Sequence, residues 1–417
     1  MHKSTQQRNN TSLSVTFPDF PSFNTPLRKF FLVQEAGKHD VADLHFSTFH
    51  PFFLQALKTG VAVQVSWSNE KGEGNFYGYV NFITEVTQAT VSRNVVVNCV
   101  GASFVLKEGG NKHWLNKTAP EIVTDIAKKF SLKPVVTQHS VRFSHQPLVG
   151  HTYWEKIQEL AKRIGYVAQV IGLELHFHPM DTMIDKNALS IPILSHHDKV
   201  IDYGGAYNAN TLDMFKPMIG DHVETGGHNR KNKTISGIHP VTGKAYSYTS
   251  SPNDVGVSLR TTTKAALFSE TIPSHITDSP TSAKATADAH AQLARWSIPA
   301  KGTAQGDARI APYATVEING TGDSTDGFWV VKKAEHTWLF DSRYSVDFEC
   351  VTDGTGGNQP TAFRNASASI SPARNIAFEL AQQTTSKPTS VKLTKQVPLV
   401  KQTDAGFLVT PRRWKGE

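Results

Sequence analysis

Between Trp114 and Pro179 the chain carries two capped helices, a polar linker and an apolar hairpin, an order that few folds accommodate. In HWLNKTAPEIVTDIAKKF, Thr118 stands three residues before Glu121, the spacing of a capping box, and Pro120 falls in the first turn, where a missing N–H costs nothing. Ile122, Ile126 and Phe130 recur every four residues and predict one apolar stripe. Thr152 and Glu155 repeat the box in HTYWEKIQELAKRIGYVAQVIGLELHFHP. Ile157, Leu160, Ala161 and Ile164 give that helix a buried face, Lys162 and Arg163 suit its negative carboxyl end, and Gly165 stops it. Strands over Tyr166–Ile171 and Leu173–His178 turn at Gly172, with Leu173, Leu175 and Phe177 on one face. The segment reads as a small α/β unit whose stripe is satisfied internally, so that it folds locally as an insertion.

The flanks read as β-structure. In VAVQVSW, Val61, Val63, Val65 and Trp67 share a face; NFYGYVNFI, EVTQATV and NVVVNCVG follow at short spacing, with Gly72 and Gly74 marking the first turn. Strands so closely spaced predict a meander that folds into a sandwich or half-barrel. Short strands are expected over 187–217, and 220–253, poor in large apolar residues, reads as a long exposed loop or hairpin. SAKATADAHAQLARW (282–296) predicts a helix with Ser282 as cap and Ala287, Ala291, Leu293 and Ala294 packing. A second β region runs from Gly302 to Val351, and DGTGGNQP (353–360) is a linker by composition.

At 417 residues the chain exceeds one ordinary core, and about two to four domains are expected. No apolar run approaches the roughly 18 residues of a membrane-spanning helix, so no membrane insertion is expected. MHKSTQQRNNTSLS lacks the apolar stretch of a secretory signal, which points to synthesis in the cytosol. Cys99 and Cys350 lie in apolar β-like runs and read as buried free thiols. The net charge of +7 is unevenly spread. Residues 360–417 carry nine basic and three acidic side chains, which leaves residues 1–359 nearly neutral. The positive charge belongs to a tail and not to a folded patch, so tight nucleic-acid binding is not expected. The same tail is polar and short of aromatics; alone it would be disordered, whereas LVKQTDAGFLVTPRRW suits strand addition to a neighbouring sheet edge.

The candidates for chemistry are histidines. His176 and His178 alternate along a strand, His196 and His197 lie close in sequence, and Asp181, Asp185 or Asp198 would be needed to complete a zinc site. The simpler reading places His176 and His178 on the solvated side of a half-buried strand, because the apolar residues of LELHFHP occupy the opposite face; neither HExxH nor a Cys–His spacing is present to support a metal site. No GxSxG, CxxC or phosphate-binding GxxxxGK[ST] occurs, and Glu121, Glu155 and Glu159 serve as caps and solvated helix face in preference to a glycosidase pair. These residues name no catalytic, cofactor-binding or metal-binding side chain, and no cofactor is expected.

The order of the α/β unit resembles that of phage baseplate or tail-tip hub proteins, whose relatives are the late-control-D-type tail proteins and the hub part of type VI secretion spikes. YWEKIQELAKRIGYVAQV and its closing hairpin are similar to one segment of that family. Residues 311–350, with Asp326, Gly327, Trp329, Val330, His336, Tyr344 and Phe348, are similar to its closing β-unit. The resemblance implies a mainly β, α+β chain: two tube-protein-like β-barrel or sandwich domains, an inserted α/β domain and extended terminal arms. The corresponding division is an arm over 1–26, a first β domain over 27–113, the insertion over 114–205, a second β domain over 206–355 and a basic arm over 356–417. It also implies a non-enzymatic homotrimer forming a pseudo-sixfold ring in the phage tail, assembled in the host cytoplasm. Such a ring would join the tail tube or distal tail protein to a central spike, fibre or tape measure protein and let DNA pass. On that reading His336 packs and hydrogen-bonds in the β-unit. A cell-surface or glycan-binding β protein is the alternative, and a histidine-dependent metallohydrolase, which metal content would reveal, is the third reading.

Overall fold

The computed structural model describes residues 4–8, 11–18, 27–47, 57–69, 72–87, 93–184, 191–195, 210–217, 231–239, 241–255, 259–263, 266, 268–272, 279–322, 325–339 and 344–358. The first β region supplies β1 (Ser4–Arg8), β2 (Thr11–Thr16), β3 (Leu27–Glu35), β4 (Val41–Phe46), β5 (Ala62–Asn69), β6 (Gly72–Thr87) and β7 (Arg93–Gly101). A 3₁₀ turn, Ala102–Lys107, leads into β8 (Lys112–Thr118), α1 (Ala119–Lys129), β9 (Lys133–Val136), β10 (Arg142–Leu148), α2 (Tyr153–Ile164), β11 (Tyr166–Ile171), β12 (Glu174–Pro179) and the short α3 (Met180–Met183). Then come β13 (Ile191–Ser195), β14 (Asn210–Pro217), β15 (Lys231–Ile238), β16 (Ala245–Ser250), β17 (Arg260–Thr263), β18 (Phe268–Ile272) and α4 (Pro280–Arg295). The chain closes with β19 (Ile298–Gln305), β20 (Thr315–Asn319), β21 (Gly327–Leu339), β22 (Ser345–Thr352) and β23 (Gly354–Asn358).

The protein is mainly β, with few helices, and one large sheet runs through it in the order β1-β2-β5-β6-β7-β4-β3-β21-β20-β13-β14-β19-β22. Its far end returns on itself, because β22 also pairs with β21. The strands β21, β20, β13, β14, β19 and β22 therefore close a ring. The rest of the sheet, from β3 outward, is an antiparallel curl that hangs from the ring.

The long strand β21 makes that attachment. Its first part, Gly327–Val330, pairs with β20, and Lys333–Leu339 pairs with β3. Both partners must occupy one edge, since β22 takes the other from Val330 to Thr337. A single apolar core follows from this sharing: Phe30, Leu44, Val65 and Val97 of the curl belong to the same buried cluster as Val316, Trp329, Val346 and Phe348 of the ring.

The α/β segment has both capping boxes. Thr118 accepts from the Glu121 N–H while Glu121 accepts from that of Thr118, and Thr152 and Glu155 do the same. Gly165 ends α2 at φ +75, in the left-handed region, and a Cβ there would lie 2.5 Å from the His290 nitrogen of α4. The stripe Ile122, Ile126, Ile157, Leu160 and Ile164 is wholly buried, but its cluster also takes in Ala62 and Tyr79 of the curl and Ala289 of α4. The expectation of a stripe satisfied within the unit is therefore corrected. The neighbouring elements complete this core.

Other expectations change for local reasons. Within the expected arm, Thr11–Thr16 is a sheet strand, because Leu13 and Val15, with Phe17 just beyond it, form a period-two stripe and are buried. Residues 75–83 and 85–91, read as two strands, are largely covered by the single strand β6. The stretch 191–195, placed above in the α/β insertion, pairs with β14 and β20 of the ring. The cap of α4 is Ser279 and not Ser282, since Pro280 occupies the first turn and Ser279 accepts from the Ser282 N–H. Ser282 is buried inside the helix. Of the loop or hairpin expected over 220–253, the structure shows the hairpin, β15–β16, but it joins β18 and packs on α4 through Ile235, Ile272, Ala283 and Ala287. Within the expected linker, Gly354–Asn358 pairs with β17. Residues 359–417, which hold most of the basic arm, lie outside the described residues. Cys99 and Cys350 are buried free thiols.

Gly74 is a strand residue and not a turn residue. The Trp67 indole crosses its α-carbon, so an added Cβ would come within 2.3 Å of the ring. Propensity alone would favour valine in a strand. Gly74→Val is nevertheless expected to destabilise the protein by about 1–3 kcal/mol through overpacking, read as a lower urea midpoint. An unchanged or raised midpoint would show that Trp67 has room to move.

Candidate functional site

Of the sequence-nominated histidines, the structure describes His176 and His178. His176 and His178 are buried, which corrects the solvated-face reading. The reason is a second layer on their face of the sheet: Val167 of β11, opposite His178, and Ile171 pack with Met180 and Met183 of α3 and Leu293 of α4. His176 Nε2 lies 3.3 Å from Glu174 Oε2, and Lys133 Nζ donates to Glu174 Oε1 at 2.7 Å. Burial alone would raise the Glu174 carboxyl, but the His176 and Lys133 hydrogen bonds outweigh it and hold it low. His178 Nδ1 is 2.8 Å from Thr137 Oγ1. Asp181 is also buried, whereas Asp185, His196 and Asp198, with His197, lie outside the described residues. Among the described residues no group of three His, Cys, Asp or Glu side chains converges on a metal position. No described helix is long and apolar enough to cross a membrane.

His336 of β21 has a structural task. Its Nδ1 is 2.7 Å from the Tyr344 hydroxyl, which accepts from Trp67 Nε1 at 3.0 Å. An oxygen that accepts from the indole still has its own proton to give to the imidazole. His336 and Tyr344 are stacked at 27°, and the Trp67 ring lies 5.8 Å from that of His336. This buried chain ties β5 of the curl to β21 and to the start of β22. Two further links reinforce the joint: Asn69 Nδ2 donates to the Gly306 carbonyl at 2.8 Å, and Arg309, held by the buried Asp307 at 2.7 Å, lies against Gly72. The signal for it in the sequence was the pairing of an in-strand Trp67 with His336 and Tyr344 far downstream, which spacing alone does not connect.

A second buried anchor holds the return of the chain. Asp353 accepts from Arg295 Nε at 3.2 Å and from the Leu259 N–H, while Arg295 also donates to the Val255 carbonyl. It fastens the end of α4 to the junction of β22 and β23. Sequence reasoning missed it because composition marks Asp353 only as the start of a glycine-rich linker.

Among the described residues, two elements expose pairs of large apolar side chains. The β15–β16 hairpin ends in Ile238 and Val241, 68% and 87% exposed, and its outer face pairs hydroxyls, Thr234 with Thr249 and Ser236 with Ser247. The β8–β10 ribbon exposes Leu115, with Val149 just past its end, beside the stacked His113 and His145. These exposed apolar side chains are the candidates for protein contact.

No protein family and no curated protein matches this sequence. Solved structures do match its fold. The tail protein from Neisseria meningitidis MC58 superposes with a TM-score of 0.56 at 12% identity, covering 85% of this chain and 99% of that one. The prophage MuSo2 43 kDa tail protein from Shewanella oneidensis gives 0.53 at 15% identity, with 83% and 99% covered. The E. coli c3393 protein, a type VI secretion system component similar in structure to the T4 bacteriophage tail proteins gp27 and gp5, gives 0.50 at 9% identity, with 85% and 79% covered. The chain therefore has the fold of phage tail proteins of the baseplate-hub type, and the resemblance read from its sequence holds at that level.

Several imidazoles are held neutral by burial. His39 and His139 are pushed down to about 4 and His178 to about 3, with Lys107, His290 and His176 respectively adding to the effect. His290 is lowered for the same first reason. Each would titrate near 6.5 when unfolded, so between about 4 and 6.5 the unfolded chain binds more protons. Asp40, raised by burial to about 7, works in the opposite direction, but it is one group against these four imidazoles and His45, which burial also lowers. Stability is thus expected to fall as pH drops from about 6.5 to 4. Urea midpoints at pH 7.5 and 5.0 check this, and an equal or higher midpoint at pH 5.0 would contradict it.

Proposed function

We propose that this protein is a non-enzymatic structural component of a phage tail, acting as the hub between the tail tube and a central spike or fibre. The observation that carries the proposal is the closed ring with an appended curl, in a fold that covers nearly the whole length of two phage tail proteins. The ring and the curl are the two tube-like β parts of one subunit. Three subunits then set six such parts around an axis, which matches a sixfold tube on one face and a threefold spike on the other. Closure by cyclic symmetry also covers sheet edges such as that of β1, which pairs on one side only, with β2, among the described strands.

On this reading the α/β segment and the β15–β16 hairpin project from the ring, and the basic arm after Gly356 docks on a neighbouring chain. The channel carries DNA without holding it. Phosphate affinity comes mostly from Lys and Arg contacts, and residues 1–359 are close to neutral. Mass measurement in solution is expected to give a trimer, and duplex DNA is expected not to bind tightly at low salt once residues 360–417 are removed. A stable monomer across the micromolar range, or tight DNA binding by the shortened chain, would contradict the proposal.

A further inference from the structure

The β8–β10 ribbon turns its two faces to different surroundings. Trp114 and Leu148 are buried in the core of the α/β segment, so the ribbon is fixed from one side. His113, Leu115, His145 and Pro147 are exposed on the other. His113 stands opposite Pro147, and His145 stands opposite Leu115. The two histidines are therefore diagonal neighbours on adjacent strands, a span that aromatic and long side chains bridge. Asn116, at φ 51 in the left-handed region, is held as well, because its carbonyl accepts from Arg142 Nη1 at 2.6 Å.

His113 Nδ1 lies 2.9 Å from His145 Nε2, with the ring planes within 6° of parallel. In the neutral pair one nitrogen gives its proton to the lone pair of the other. The cations nearest in sequence are drawn elsewhere: Lys112 Nζ lies over the Trp114 ring, and Arg142 is held by Asn116 and Glu121. Nitrogens about 2.1 Å from one ion stand about 3.0 Å apart when they meet it at a right angle, and about 3.4 Å apart in a tetrahedron. The observed separation fits the right angle, which belongs to square-planar and octahedral ions. Both rings are exposed, so each can turn about its Cβ–Cγ bond and aim its lone pair at one point outside the ribbon. The proton they shared then passes to solvent.

We propose that His113 and His145 form a two-imidazole site for a divalent ion of the copper and nickel class, one nitrogen coming from each strand and water filling the remaining positions. Imidazole donors select such ions over calcium and magnesium, and copper binds a given nitrogen site most tightly of the divalent series. Two protein ligands leave the ion open and exchangeable, unlike the four of a closed structural site. The ion cross-links β8 to β10, and its outward positions lie beside the exposed Leu115, where a contacting protein can supply further donors. The site stands on the ribbon's own residues and does not depend on the tail-hub reading.

Copper(II) iminodiacetate is the probe, because the chelator occupies part of the copper shell and leaves neighbouring positions for imidazole. At about pH 7.5 the full chain is expected to bind it at least tenfold more tightly than chains carrying His113→Ala or His145→Ala. The electron paramagnetic resonance spectrum of the parent complex should show two imidazole nitrogens, and that of either variant one. The two variants should bind equally weakly, since each leaves a lone imidazole. Metal ions take the neutral ring, so tight binding should disappear at about pH 5. Both side chains are exposed, and thermal unfolding of the metal-free variants is expected to match the parent. If His145→Ala does not fold, His145→Gln, which keeps a hydrogen-bonding group there, takes its place. Parent binding no tighter than that of a folded variant, or a parent spectrum with a single imidazole nitrogen, would overturn the proposal.

Discussion

The fold depends on one edge shared by two partners. β21 is long enough to give Gly327–Val330 to β20 and Lys333–Leu339 to β3, while β22 occupies its other side. Backbone hydrogen bonds bring the curl and the ring together, and the side chains of both then bury into a common interior. The Trp67–Tyr344–His336 chain sits inside that interior, where a polar group must find a partner or incur about 1–3 kcal/mol of desolvation. A polar network of this kind does little for net stability, but it resists any slippage of β5 against β21 and β22. A one-residue slip would turn every inward side chain of the strand outward.

Attachments to this frame are made by anchors of a different kind. α4 carries the β16-β15-β18 sheet on one side and meets the end of α2 on another, at Gly165. Its own end is tied by the buried Arg295–Asp353 pair, whose loss of either partner would strand a charge in the interior. The projecting parts are thus held at their bases, with their tips, such as Ile238 and Val241, left free for contact. For a protein proposed to bridge other proteins, rigid bases and exposed tips are the useful combination.

What could be read from the sequence was local. The capping boxes at Thr118 and Thr152, the stop at Gly165 and the shared inward face of Val63, Val65 and Trp67 each involve residues a few positions apart, and each is present in the structure. What escaped is what depends on distant partners. Gly74 was read as a turn because the Trp67 ring that excludes a side chain there cannot be inferred from spacing. His176 and His178 were read as solvated because alternation reports one covered face and is silent about a second layer. The closed ring depends on β13, a short strand running parallel to both neighbours, whose pairing with β20 joins residues more than a hundred positions apart. The resemblance to tail-hub proteins supplied an expectation of the fold that periodicity could not, and solved tail proteins share the fold.

The central claim is that curl and ring form one cooperative body through β21. Native-state hydrogen exchange tests it most directly, by comparing the opening free energies of amides in β4 and β7 with those in β19 and β22. The account expects the two sets to share one value and to fall together when Tyr344→Phe weakens the joint. A curl that opens at a much lower free energy while the ring stays protected would contradict it.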